Sequence, residues 1–148
     1  MVKSDLDGLV ARAEAAWNSH DMAAFASLFS PDADFVNVAG WWWRGRDEIG
    51  AMHALLHETI FSTSHMDMQL VESKRISDDV HVLHVRWRMS GQSAGGAQGG
   101  SEQRDGIWTW VVRTGDGLEI VASHNSDTRA MPPNHPLAGM MGDSPPAA

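Results

Sequence analysis

The sequence predicts an α+β fold, a cone-shaped domain in which three N-terminal helices are wrapped by a curved antiparallel β-sheet. Two observations predict it. Apolar residues recur at helical spacing before residue 61, whereas four stretches between residues 65 and 128 alternate as strands do. Helices followed by strands, rather than interleaved with them, are typical of α+β domains. A sheet that curves around helices leaves a conical cavity, which is a natural site for a small apolar ligand.

Three segments carry the helical pattern. The first spans residues 4–18 and has leucine, valine, alanine and tryptophan on one face. The second is a short helix over residues 21–29, with Asp21 as its N-cap. The third spans residues 46–61, and its apolar stripe comprises Ile49, Met52, His53, Leu56 and Ile60.

Strand signals fill the rest of the domain. Residues 33–44 are rich in valine and aromatic residues around Gly40, which predicts a hairpin of two short strands. Four longer alternating stretches predict an antiparallel meander, and they span residues 65–76, 79–90, 104–114 and 118 to about 128. The glycine-rich run at 91–100 predicts a flexible connection between two of these strands.

We expect a single domain over residues 1–129 and a separate tail over residues 130–148. The tail holds five of the six prolines and has little helical or strand period, which predicts an extended arm or a disordered end. Leu137, Met140 and Met141 are apolar enough to dock on a surface.

Composition excludes several classes of protein. No apolar run approaches the roughly 20 residues that span a bilayer, so no membrane partner is expected. The formal net charge of -8 offers no basic face to nucleic acid. Without cysteine there is no disulfide, thiolate nucleophile or cysteine metal ligand. The charged N-terminal segment does not resemble a secretory signal, so we expect a cytoplasmic protein.

Seven tryptophans and no tyrosine are the most unusual feature of the composition. Tryptophan supplies a large apolar area and one N–H donor, so a small domain rich in it is suited to an apolar pocket or an interface. The lack of tyrosine removes every mechanism that needs a phenol as acid or oxyanion donor. We therefore expect an apolar small-molecule ligand as partner, with polar roles taken by other side chains.

Several motifs resemble the nuclear transport factor 2-like superfamily. They are WNSHDMAAF at 17–25, LFSPDADF at 28–35, and then Gly40, Trp42, Arg44, His53 and His124-Asn125-Ser126. Together they are similar to the SnoaL-like branch and, within it, to the SgcJ/EcaC group associated with polyketide gene clusters. The resemblance covers about residues 5–128 and implies the cone of helices and sheet. It leaves isomerases, dehydratases, cyclases, epoxide hydrolases and binding modules open.

Ketosteroid isomerases of the same superfamily offer one informative comparison. Alignment of residues 32–40 with them puts Asn37 where they carry a carboxylate base, and their tyrosine donor falls on Ala13. An amide does not take up a proton near neutral pH, so the resemblance does not extend to steroid-type isomerisation.

His53 is the leading candidate for a proton acceptor. An imidazole with an ordinary pKa near 6.5 suits this role, and the apolar stripe of the third helix should turn it toward the cavity. The alternative is a packed core histidine whose nitrogens are satisfied by neighbours. His57 lies four residues on, a spacing that suits a metal, but no HExxH pattern accompanies the pair and no metal is expected.

Three further polar residues are candidates for the chemistry. Asn37 shares a strand face with Phe35, so we expect it to orient a substrate carbonyl or a water, or else to bond to turn backbone. Asp34 points the other way and is either a solvated or arginine-paired acid or the pocket base. In the last strand the more apolar face favours His124 over Asn125 in the cavity.

The remaining candidates are expected to bind the substrate. They are Trp17, Phe35, Trp41, Trp42, Trp43, Met52, Leu56, Met68, Trp87, Trp108 and Asn125. Because adjacent strand residues point to opposite sides, two of the three consecutive tryptophans should share one side.

The sequence leads to one main hypothesis and two alternatives. The main one is a cofactor-independent enzyme that cyclises, isomerises, dehydrates or hydrates an apolar, polyketide-like molecule by acid–base chemistry. The alternatives are a non-catalytic carrier of a hydrophobic ligand and a dimerisation module with a filled cavity. In each case the apolar outer sheet face predicts a homodimer.

Overall fold

The computed structural model describes residues 3–93, 103–129 and 131–141, and it confirms the α+β cone. The helices are α1 (Lys3–Asn18), α2 (Met22–Ala26), α3 (Arg46–Glu58) and α4 (Ala138–Met141). The strands are β1 (Phe29–Val36), β2 (Trp42–Arg44), β3 (His65–Arg75), β4 (Val80–Ser90), β5 (Arg104–Thr114) and β6 (Leu118–Asp127).

The helices cover the concave face of the sheet. α1 packs on β3, and α3 packs on α2 and the β1–β2 hairpin. Asp21 caps α2 as predicted, since its carboxylate accepts the Ala24 backbone N–H at 3.0 Å. α2 is shorter than predicted because Phe29 has already joined the sheet, where it pairs with Ile120.

The sheet has six strands in the order β2-β1-β6-β5-β4-β3. The predicted hairpin and the predicted meander are both confirmed, and each of their pairs is antiparallel. The pairing of β1 with β6 was not predicted, and it is parallel. This pairing closes the sheet around the helices and joins the hairpin to the end of the meander.

A bulge in β6 inverts the inside–outside alternation of that strand. Val112 pairs with Ile120, but the preceding Val111 pairs with Ala122, so Val121 is the extra residue. Ile120 therefore faces inward before the bulge, and Ser123 faces inward after it.

Gly106 makes room for the ring of Trp87 on the neighbouring strand, to which it is directly paired. A Cβ atom at Gly106 would lie 2.0 Å from Cζ2 of Trp87 and 2.5 Å from the Ser126 carbonyl oxygen. No side chain fits there, so glycine at this position lets the indole of Trp87 pack directly against the backbone of β5.

The rest of the chain adds little to the core. α4 is a single turn within the predicted tail, which therefore is not wholly extended, and Leu137 just before it and Met140 within it are exposed. The glycine-rich connection lies mostly outside the described residues, as does the end of the tail. None of the described helices is long and apolar enough to cross a bilayer.

Candidate functional site

A cavity of about 300 Å³ opens between the sheet and helices α1 and α3, and all six strands contribute to its walls. The predicted residues that line it are Trp17, Phe35, Asn37, Trp41, Trp43, His53, Leu56, Trp87, Trp108 and Asn125. The walls are therefore mainly aromatic, with a few polar groups, which is the usual construction of a small-molecule site.

His53 lies in the wall of this cavity with one nitrogen held by the backbone. Nδ1 is 2.8 Å from the carbonyl oxygen of Ile49, one helical turn earlier. Because a carbonyl only accepts, Nδ1 carries the proton and Nε2 carries the lone pair. Burial lowers the pKa of His53 from 6.5 to about 4, so the ring is neutral at pH 7. The structure thus fixes both the charge and the tautomer of the imidazole.

Aromatic rings surround the imidazole of His53. Its centroid is 4.8 Å from that of Phe35, 4.9 Å from Phe25, 5.2 Å from Trp43 and 6.1 Å from Trp17. This packing leaves His53 only 3% exposed. A proton transferred to Nε2 would therefore stay within an apolar enclosure that excludes water.

Arg104 and Asn125 add polar groups to another part of the wall, near the ends of β5 and β6 and close to Trp87 on β4. The Trp87 indole N–H donates to Oδ1 of Asn125 at 2.7 Å. This bond orients the amide, because its Nδ2 donor must then point away from Trp87. Arg104 donates from Nη2 to Oδ1 of Asp127 at 2.7 Å, and its guanidinium carbon lies 5.8 Å from the Trp87 ring centre.

His57 does not share the cavity with His53. Its Nδ1 lies 2.8 Å from Nδ1 of His20, and its ring meets the edge of Trp17 at 4.4 Å between centroids. Trp17 also contacts His53, and its own N–H donates to Ser64 Oγ at 3.1 Å. The two histidines of α3 therefore have separate partners, with Trp17 packed against both.

Asn37 lines the cavity but also shapes the hairpin turn. Its Oδ1 accepts the backbone N–H groups of Ala39 and Trp41, both at 2.9 Å. The backbone-bonding alternative is thus correct for this oxygen, and only the amide nitrogen remains for a ligand. Of the three consecutive tryptophans, Trp41 and Trp43 line the cavity, as the alternation predicts for two of them.

Two residues predicted for the site lie on the other side of the hairpin. Trp42 is 54% exposed, with Arg44 stacked 3.8 Å from its ring centre. Its indole N–H donates to Oδ1 of Asp34 at 2.8 Å. The predictions of Trp42 as a pocket residue and of Asp34 as the pocket base are therefore wrong, since strand alternation turns both away from the cavity.

Three more placements are wrong. His124 is exposed and Asn125 is buried, because the bulge at Val121 reverses the alternation on which the prediction relied. Met52 is exposed on α3, one position before His53 and outside the cavity wall. Met68 packs against the core without lining the cavity.

Comparison with known proteins gives the family. The sequence profile of the SnoaL-like domain matches residues 10–121, which is most of the chain. The chain belongs to the SnoaL-like domain family. No curated protein matches it.

Solved structures similar to this SnoaL-like domain share its fold. A cystatin-like domain of unknown function from Nostoc punctiforme has a TM-score of 0.76 at 24% identity, covering 88% of this chain and 82% of its own. An uncharacterised cystatin-like protein from Caulobacter vibrioides has the same score and identity, covering 85% and 89%. A ketosteroid isomerase-like protein from Erwinia carotovora scores 0.67 at 15% identity, covering 84% and 94%.

The SnoaL-like cavity also contains a charged residue that the sequence interpretation did not include among the site candidates. Arg104 lines it, and it is the cavity's only residue charged at neutral pH in the described part of the chain. The signal was available, because Arg104 has the same strand parity as Trp108 and Trp110. Because arginine at the end of a strand is usually exposed, the sequence alone does not predict that Arg104 faces the cavity.

Proposed function

We propose that this SnoaL-like domain, as a protein of the SgcJ/EcaC type, is a cofactor-independent enzyme. It would move a proton on an apolar, polyketide-like molecule, as in isomerisation or cyclisation. The observation that carries the proposal is the bond from His53 Nδ1 to the Ile49 carbonyl, which leaves the Nε2 lone pair as the proton acceptor of an aromatic cavity. The SnoaL-like family and the ketosteroid isomerase-like neighbour support this reaction class.

The proposed step begins with a C–H bond next to a substrate carbonyl. Nε2 of His53 takes the proton, and the electron pair of that bond moves onto the carbonyl oxygen as an enolate. Return of the proton from Nε2 to another carbon gives the isomer. Attack of the enolate carbon on a second carbonyl of the same molecule instead gives a ring, and the alkoxide formed from that carbonyl takes the proton back from Nε2. Both outcomes balance without an oxidant or a cofactor.

Asn125 takes the role that the sequence interpretation gave to His124. Its Oδ1 is occupied by Trp87, so the Nδ2 donor is held in a fixed direction before substrate binds. Such a preorganised donor stabilises negative charge that develops on a carbonyl oxygen. It replaces the phenol that this tyrosine-free chain lacks.

A carrier that binds an apolar ligand without chemistry is the second candidate. It is favoured by the deep burial of His53, which lowers its pKa to about 4 and makes it a weak base. The same aromatic walls would serve either function, so only turnover distinguishes them.

The test is exchange of the α-hydrogens of a two-ring ketone, β-tetralone, for deuterium in D₂O, followed by proton NMR. We expect exchange with the wild-type protein and a decrease of roughly 10²–10⁴-fold in His53→Gln, the usual range for loss of a general base. His124→Gln is the matched control, since this histidine is exposed outside the cavity. Equal rates in both variants, or none above buffer with wild type, would favour the carrier.

A further inference from the structure

Arg104 and Asp127 form an ion pair that presents only its cation to the cavity. Their side chains are 16% and 13% exposed, and the bond from Nη2 to Oδ1 is 2.7 Å long. Arg104 belongs to the cavity wall, whereas Asp127 does not. Asp127 thus holds the guanidinium in place from behind.

No other charge in the described wall balances this cation. The described lining contains no carboxylate, and the one other ionisable wall residue, His53, is neutral at pH 7. Asp127 stabilises the buried guanidinium through Nη2, whereas the other N–H donors of Arg104 still need an anion or water. Although the chain has a net charge of -8, one of its 11 lysine and arginine residues lines this cavity.

We propose that the ligand of this cavity is an apolar ring system bearing a carboxylate, and that Arg104 binds the carboxylate. The inference rests on the proposed function in one respect, because it names the substrate class of the same site. The guanidinium fork matches two carboxylate oxygens, and only its Nη2 bonds to the chain in the described part of the structure.

The aromatic walls alone would be compatible with a different ligand. Rings such as those of Trp17, Trp43 and Trp108 attract organic cations through their faces. The guanidinium in the same wall disfavours a cationic ligand, because its partner Asp127 lies outside the wall and the described wall holds no acidic residue that would bind such a ligand. The ring system of an aromatic acid, in contrast, packs against the indoles while its charge meets Arg104.

The experiment is calorimetric titration of the full chain at pH 7 with three probes that share one ring system. They are 2-naphthoate, methyl 2-naphthyl ketone and (2-naphthylmethyl)trimethylammonium. A charge-assisted bidentate bond predicts that wild type binds naphthoate roughly 10- to 100-fold more tightly than the ketone, and the cation most weakly. Equal affinities, a preference for the cation, or no binding of any probe at about 1 mM would overturn the proposal.

A pair of double variants assigns the preference to Arg104. Arg104→Gln with Asp127→Asn removes both charges together, so no buried charge is left unpaired, and it should reduce naphthoate affinity to that of the ketone. Arg113→Gln with Glu119→Gln is the matched control, because it removes an exposed pair from the same two strands. A preference retained in the first double variant would refute the role of Arg104.

The preference for naphthoate over the ketone does not depend on catalysis. Calorimetry measures binding by the wild-type chain without any turnover, so the preference for naphthoate is tested separately from the role of His53. Should deuterium exchange fail while the preference for naphthoate is observed, the carrier function is favoured and the ligand class stands.

Discussion

The Nδ1 atoms of His20 and His57 lie 2.8 Å apart, so one ring must donate a proton to the other and both cannot be cations. The Nε2 atom of His57 is buried and has no hydrogen-bond partner in the described part of the chain. Burial, followed by the nearby His20 and His53, lowers the pKa of His57 to about 4. His57 and His53 therefore make the folded state sensitive to acid.

We predict that stability decreases as the pH falls from about 6.5 to 4. Unfolding restores the ordinary pKa of 6.5 to His53 and His57, so in this window the unfolded state binds protons that the folded state excludes. Each histidine contributes a loss of up to about 1.4 kcal/mol per pH unit. Urea unfolding at pH 7.5, 6.5, 5.5 and 4.5 measures the free energy of unfolding. In His57→Gln this free energy should depend less steeply on pH. A flat profile would show that neither ring is buried as described.

We predict that Gly106→Ala destabilises the fold and reduces ligand binding together. The new methyl group would collide with Trp87, whose ring must then shift toward the cavity, at a cost of about 1–3 kcal/mol. Thermal unfolding and naphthoate titration on one preparation measure both effects. Gly115→Ala is the control, because a Cβ atom there has no neighbour within 4 Å and should change neither quantity.

We propose that the protein is a homodimer assembled through the outer face of the sheet. Val82 and Val111 are paired on that face, Ile107 lies on the same face of β5 four residues earlier, and all three remain half-buried in the single chain. Ile107→Lys should therefore lower the mass found by light scattering from dimer to monomer at micromolar concentration. Ile76→Lys, an exposed residue just after β3, is the comparison. A monomeric wild type would contradict the proposal.

We predict that removal of the chain from Pro132 onward changes the melting temperature by no more than a few degrees. Leu137 and Met140 in this segment are exposed, the latter to 80%, so truncation uncovers little apolar surface. Calorimetry of the full and truncated chains makes the comparison. A larger loss would reveal a contact of the tail, for instance with a second subunit.

The sequence predicted most elements because their signals are local. The period of α3 placed His53 correctly, and alternation placed Trp87 and Trp108 on the inner face. Asn125 and His124 were exchanged because a one-residue bulge leaves no sign in the alternation of a single strand. The bulge is visible only in the register with β5.

The parallel pairing was missed for a related reason. β1 and β6 are about 90 residues apart in the sequence, although they are neighbours in the sheet. The composition of a strand does not indicate which other strand it pairs with. Arg104 could have been assigned from its parity, but its inward role depends on Asp127 two residues beyond Asn125, a partner fixed only when β5 and β6 align.

Parallel pairing of β1 with β6 also constrains how the protein folds. Phe35 pairs with Ser123, so almost the whole domain must be synthesised before the hairpin that carries Trp41 and Trp43 can join the sheet. Contacts of such sequence separation require closure of a long loop and slow the folding of a chain. We expect the β3–β6 meander to form first and the ligand cavity to close last. A nascent chain that ends before β6 would then expose the inner aromatic face to chaperones.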